Sequence, residues 1–453
     1  MTALKDKWTP PSKHVPRAPP KGDVNAIPWL LDDARPLAFT NASVVDVDAN
    51  RVLYNHTVVV VKGAIKSVEK SSHTSWPDDY RVVDCSGLYL CPGLVDCHVH
   101  INMSDGRMQP HVEPHLRATY TLKSMLARGF TTVRDVGGAT FFQKQAIEQW
   151  LTPGPRLFQG GPMMSQTGGH GDSRAREDDG CCTGGGFGGL LVDGVTEATR
   201  EARNLMRKGA DHIKIATSGG VSSPTDKLDG IQLSPEEIRA IVEVVRDMGG
   251  TGVTTHAYTA AAIRRAVENG VRGVEHGNLL DRDTAKLMAK AGAFLTPTLM
   301  ISTAKGRPPW NDTLPDYSRE KNAMVRDAGR KAIQIADEEG VCICYGTDLT
   351  AGMGYLQSEE FTQRAQLLPS HKVLAHATTN AAKNVNDERI GVLKPGAYGD
   401  LLVLAANPLD DVRVLDSPGG ILGVVKDGRV VVARKQVADQ VALDVVLGVE
   451  DAE

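Results

Sequence analysis

The chain has 453 residues, 41% of them hydrophobic, with 46 glycines and a formal net charge of −4 spread as mixed acids and bases. That length exceeds what one small core absorbs and suits a large α/β barrel with a smaller unit beside it. The absence of a basic stripe argues against nucleic acid as a partner, and no apolar run approaches membrane-spanning length.

Residues 1–35 open with "MTALKDKWTPPSKHVPRAPPKGD". The stretch is Pro-rich and lacks an apolar h-region, so it is expected to be an arm, disordered or draped over a neighbouring subunit of a homo-oligomer. Seven cysteines without framework spacing fit a reducing, cytoplasmic setting better than a secreted one. Of these, Cys181 and Cys182 sit in a Gly-rich loop, as filler or as a redox-active pair.

Residues 36–90 alternate short β-rich runs with turn signals such as Asp48-Ala49-Asn50 and Lys62-Gly63. A similar pattern fills 386–453, where Asp427-Gly428 marks a hairpin. The two ends are predicted to meet in one small β-sandwich.

Between them, residues 91–385 alternate strand and helix. Strands are predicted at 94–98, 131–135, 156–160, 212–218, 252–256, 273–276, 294–298 and 342–348. "SPEEIRAIVEVVRDMGG" has Ser234 as N-cap, Pro235 at the first helical position, Glu237 closing a capping box and Gly249-Gly250 as the stop. "TAAAIRRAVENG" and "DRDTAKLMAKAG" are also amphipathic and end in glycine. Eight such units predict an α/β fold, a (β/α)8 TIM-like barrel. A doubly wound open sheet is disfavoured because no Gly-x-Gly-x-x-Gly turn follows the first strand. The longest interruption, 160–193, follows the third strand, and loops of that length are usually functional.

In such a barrel, groups at the C-terminal strand ends converge on one face. Strand one ends in "DCHVH", where His98 and His100 share a side. Strand five ends at His256, strand six at His276 and strand eight at Asp348. Any one of these histidines alone is ordinarily a rim or core residue. Four histidines and an aspartate on one rim point to a metal site, zinc or a similar first-row ion rather than calcium or magnesium. Strand four, "HIKIATSGG", puts Lys214 in the middle of an apolar run, where a buried ammonium is costly unless paired.

These motifs resemble the amidohydrolase superfamily of metal-dependent hydrolases. The resemblance rests on "CPGLVDCHVH", "IKIATSGG", "THAY", "VEHG" and "GTD" in order, and on "IGVLKPGAYGDLLVLAANPL" near the end. "SQTGGHGD" and "KIATSGGV" are similar to the subgroup containing Xaa-Pro dipeptidases, ochratoxinase-like enzymes and imidazolonepropionase-like proteins. The resemblance implies two divalent metals, with His98, His100 and Asp348 on one, His256 and His276 on the other, and Lys214 bridging both as a CO2-derived carbamate. It implies attack by a metal-bridging hydroxide, with Asp348 as general base and then acid. The other reading of Lys214 is a lysine snorkelling past the strand end or paired with a carboxylate.

For substrate contact the candidates are His170, Tyr258, Ser218 and Gly219. His170 either hydrogen-bonds substrate or only orders a Gly-rich turn. Arg134 either supports the site or pairs with Asp135. The function expected is hydrolysis of an amide bond in a small molecule such as a dipeptide or N-acyl amino acid. A metal-dependent tailoring enzyme acting on a lactam or cyclic amide, or decarboxylating a metabolite, is the alternative, and a non-catalytic scaffold the third reading.

Overall fold

A computed structural model describes residues 31, 33–72, 75–103, 112–174, 189–350 and 352–449. Most of the expected arm lies outside the described residues, as do Cys181 and Cys182. The five described cysteines are free thiols. No described helix is long and apolar enough to cross a membrane.

All eight strands expected in the middle of the chain form. They are Leu94–Val99, Phe130–Asp135, Arg156–Gln159, Ile213–Ala216, Val253–Thr259, Gly273–Leu279, Phe294–Thr296 and Cys342–Ile343, and every pairing among them is parallel. Their residues are buried almost throughout, as expected for parallel strands covered by helices. They do not make one closed ladder. The first three form a three-stranded sheet and the other five belong to a seven-stranded one.

The difference arises in the long interruption, which is not wholly loop. It supplies Met163–Ser165 and Gly189–Leu191, and Met164 pairs with Ile215 of the fourth strand. Strand four thus takes its neighbour from the insertion rather than from strand three. A few backbone bonds span the two gaps: Cys97 N to Tyr345 O and Asp348 N to His98 O, each at 2.8 Å, on one side, and Asp211 N to Gln159 O at 2.8 Å on the other.

The helices start and stop where their caps dictate. Ser234 Oγ accepts from Glu237 N at 3.3 Å and Ser234 N donates to Glu237 Oε2 at 2.7 Å. Asp281 accepts from Thr284 N to start Arg282–Ala291, which Gly292 ends at φ 65°. The 23-residue helix Asp316–Glu338, before the last strand, has no counterpart among the three helices read from the sequence.

Both ends of the described chain contribute to one eight-stranded sheet. Tyr89–Pro92 pairs antiparallel with Leu401–Leu404, and Ile421–Lys426 turns back into Arg429–Ala433 through Asp427-Gly428. Asp427 and Gly428 both have positive φ, 50° and 71°, as a type I′ hairpin turn requires. Phe39, Val58, Ile65, Leu90, Leu401, Val403 and Val425 form its core. Arg156, on the third parallel strand, ties the two parts. Its guanidinium lies 3.5 Å from the Tyr398 ring centre and pairs with Asp427 at 2.6 Å and Asp400 at 3.2 Å.

Candidate metal centre

His98, His100, Lys214, His256, His276 and Asp348 line one cavity at the C-terminal ends of the parallel strands, together with His170 and Tyr258. His98 Nε2 and His100 Nε2 each lie 3.3 Å from Asp348 Oδ1. Ligand atoms of His98, His276 and Asp348 all fall within 4.8 Å of one another. The His256 and His276 ring centres are 4.6 Å apart.

Each imidazole is held from behind by one nitrogen. His98 Nδ1 donates to Glu275 Oε2 at 2.7 Å, and His100 Nδ1 to Gly137 O at 3.0 Å. His276 Nδ1 bonds Thr298 Oγ1 at 2.8 Å, and His256 Nε2 donates to Gly219 O at 3.2 Å. Such bonds fix the ring and its tautomer and leave the other nitrogen's lone pair free. For His98 and His100 that nitrogen faces the Asp348 carboxylate. Two lone pairs aimed at an anion repel unless a positive charge lies between them.

The electrostatics agree. Burial alone would push the His100 pKa down, but the bond to Asp348 and its charge outweigh that and raise it. Burial and neighbouring His170, His276 and Lys214 hold His256 far below the usual imidazole value; burial and His98 do the same for His276. Asp348 stays well below the usual carboxylate range because His98 and His100 outweigh its burial. His256 and His276, held neutral, beside an ionised Asp348 that draws positive charge toward His98 and His100 are a donor set that fits a divalent first-row cation.

Lys214 is 2% exposed. Among the described residues its ammonium makes no hydrogen bond and no ion pair. Burial pulls its pKa down to about 8, with Glu275 and Asp348 only partly offsetting that.

Glu275 and Arg134 support the site from behind. Glu275 is fully buried and accepts from His98, Arg134 and Thr254. It precedes His276 directly, so a regular strand would put the two on opposite faces. His276 instead adopts φ 71°, which breaks the alternation and lets both face inward. Asp348 is also left-handed, at φ 57°. Such backbone costs on the order of 1 kcal/mol per residue and concentrates at functional sites. Arg134 supports the site rather than pairing with Asp135: it bonds Glu275 and Cys97 O. Asp135 instead accepts the amides of Ile101, Gly137 and Ala139.

His170 stacks on His256 with ring centres 3.9 Å apart, and its Nδ1 bonds Ser223 Oγ at 2.9 Å. Tyr258 stacks on His276 at 5.2 Å. Ser218 and Gly219 stand behind these rings. Ser218 Oγ accepts from Tyr258 N at 3.0 Å, and Gly219 O receives His256.

Two glycines admit the rings. A Cβ on Gly137 would lie 2.9 Å from His100 Cε1, and one on Gly220 would lie 2.0 Å from His170 Cε1. Gly137→Ala is therefore expected to displace His100 and lower metal affinity about 10- to 100-fold, the usual cost of losing a ligand's support. Metal content measured against a competing chelator checks this.

Residues 89–431 match the sequence pattern of the Amidohydrolase family. The ochratoxinase of Aspergillus niger is 30% identical over 370 residues, 75% of either chain. The imidazolonepropionase of Rhizobium rhizogenes is 25% identical over 408 residues, 80% of this chain and 90% of that one. Among solved structures, a prolidase complexed with N-methylphosphonate-L-proline superposes with a TM-score of 0.84 at 39% identity, covering 88% of this chain and 100% of its own. With well over half of its length in the family pattern, the chain belongs to the Amidohydrolase family, as a hydrolytic enzyme acting on amide bonds.

Proposed function

We propose that the enzyme is a metal-dependent hydrolase of an amide bond in a small molecule such as a dipeptide or N-acyl amino acid. His98, His100, His256, His276 and Asp348 would hold two divalent ions, zinc for preference, and Lys214 would serve both as a carbamate. The observation that carries this reading is Lys214 itself, a buried lysine with no partner among the described residues, lining one cavity with those four histidines and that carboxylate. An ammonium there would repel two dications. Carboxylation converts it to an anion that attracts them. We further read the parallel strands of 91–385 as a (β/α)8 barrel, and the strands of 36–90 and 386–453 as a β-sandwich.

When bound, the metals acidify a water and polarise the scissile carbonyl. The protein's own groups do the rest. Asp348 takes the proton from the attacking water and delivers it to the departing amine nitrogen. Glu275, anchored by Arg134, keeps His98 in its ligating tautomer. Tyr258, whose hydroxyl burial keeps protonated, and His170 offer polar contacts to the substrate, while Ser218 and Gly219 set their positions. Zinc- and bicarbonate-loaded enzyme, screened by mass spectrometry against dipeptides and N-acyl amino acids, is expected to turn over at least one of them and to lose that activity on chelation. No turnover of any would overturn the reading.

A further inference from the structure

The helix Leu299–Lys305 ends beside the cavity, and Lys305 lines it with Ile301, Ser302, Ser222 and Asn322. The Lys305 ammonium donates to Ser222 Oγ at 3.1 Å. Among the described residues no carboxylate lies within ion-pair distance of it. An ammonium has three donors, so Ser222 leaves two for something else.

Its neighbours behave differently. Lys321, from the long helix, spends its donors on Gly220 O, Ser223 O and Asp226 O at 2.9, 2.9 and 2.7 Å, tying down the loop after strand four. Arg307 is paired twice with Glu359, at 2.8 and 2.7 Å. Both cations are structural. Lys305 is drawn in far enough that burial lowers its pKa, and Asp348 offsets this only in part. The cavity wall around it includes apolar Val221, Ile301, Met103 and Met163. A half-desolvated cation without a counter-ion costs stability unless a ligand supplies the charge.

We propose that Lys305 is a specificity-determining residue that receives the free carboxylate of the substrate, which restricts the enzyme to anionic amides: N-acyl amino acids and peptides with an unblocked carboxyl group. This rests on the reading of the cavity as an amide-hydrolase site.

The test compares wild type, Lys305→Met and Lys305→Arg on two substrates: the acid that turns over fastest in the panel, and its C-terminal carboxamide. Wild type is expected to prefer the acid. Lys305→Met is expected to lose about 10- to 100-fold in kcat/KM on the acid, mostly through KM, and to stay within about threefold on the carboxamide. Lys305→Arg should restore part of the loss. Two further readouts exclude a structural role. Metal content should not change, and the melting temperature of Lys305→Met should hold or rise, because a half-buried cation without a counter-ion has been removed. Equal losses on acid and carboxamide, a fall in melting temperature together with lost metal, or no loss on either substrate would overturn the proposal while leaving the hydrolase reading intact. If no acid or amide in the panel turns over, the hydrolase reading fails and this one falls with it.

Discussion

Lys214→Ala is expected to lower kcat/KM by about 10³-fold or more, comparable to removing a principal charge-stabilising group, and to reduce bound metal from about two ions per chain to one or fewer. Fold should survive, because the substitution removes a charge from an apolar strand rather than a packing partner. The vacated volume is open to a small acid. Millimolar propionate, which offers a carboxylate where the carbamate would sit, is expected to restore part of both metal binding and turnover. Full occupancy and activity in Lys214→Ala would refute the carbamate.

The same lysine makes a prediction about pH. Only the neutral amine reacts with CO2. Burial brings Lys214 down to about 8, so its neutral share rises about tenfold per pH unit below that value and levels off above it. Metal-free enzyme given zinc at a fixed concentration of dissolved CO2 is therefore expected to reactivate faster at pH 7 than at pH 6, with little further gain above pH 8. A lysine that merely snorkels into solvent would still be steepening at pH 9.

Asp348→Asn is expected to reduce kcat by about 10²- to 10⁴-fold with a much smaller change in KM, the usual range for a proton-transferring group. The amide keeps the shape but cannot take a proton from water or hand one to an amine. His98 and His100 each lie 3.3 Å from the lost charge, so some metal should be lost as well. Turnover divided by occupied sites separates the two effects. Near-normal turnover in metal-loaded Asp348→Asn would remove Asp348 from the proton path.

Much of the site was legible in the sequence because strand ends are easy to find. An apolar run that stops at a histidine or aspartate marks both the element and a candidate ligand at its tip, as at His98, His256 and Asp348. What stayed hidden depended on departures from regularity or on tertiary reach. Glu275 was invisible because alternation assigns it to the face opposite His276, and only the left-handed backbone at His276 undoes that. Lys305 sits at the end of a short helix with no motif, and its place in the cavity follows from where that helix packs. The strands Met163–Ser165 and Gly189–Leu191 are three residues each, too short to show a period. They mark one of the two breaks between the ladders, the one between strands three and four.

Tyr89–Pro92 belongs to the end sheet, and Leu94–Val99, which carries His98, begins one residue after Gly93. Leu401–Leu404 pairs with the first of these strands, and Gly93 N is bonded to Asp400 O at 3.0 Å. The segment 400–404, near the end of the chain, therefore clamps the root of the strand whose tip bears two candidate ligands. A fragment ending at Val385 would contain all six of them and still lack the anchorage that aims the first pair. On the proposed reading, the inventory of candidate ligands and the shortest chain able to aim them are different lengths of polypeptide.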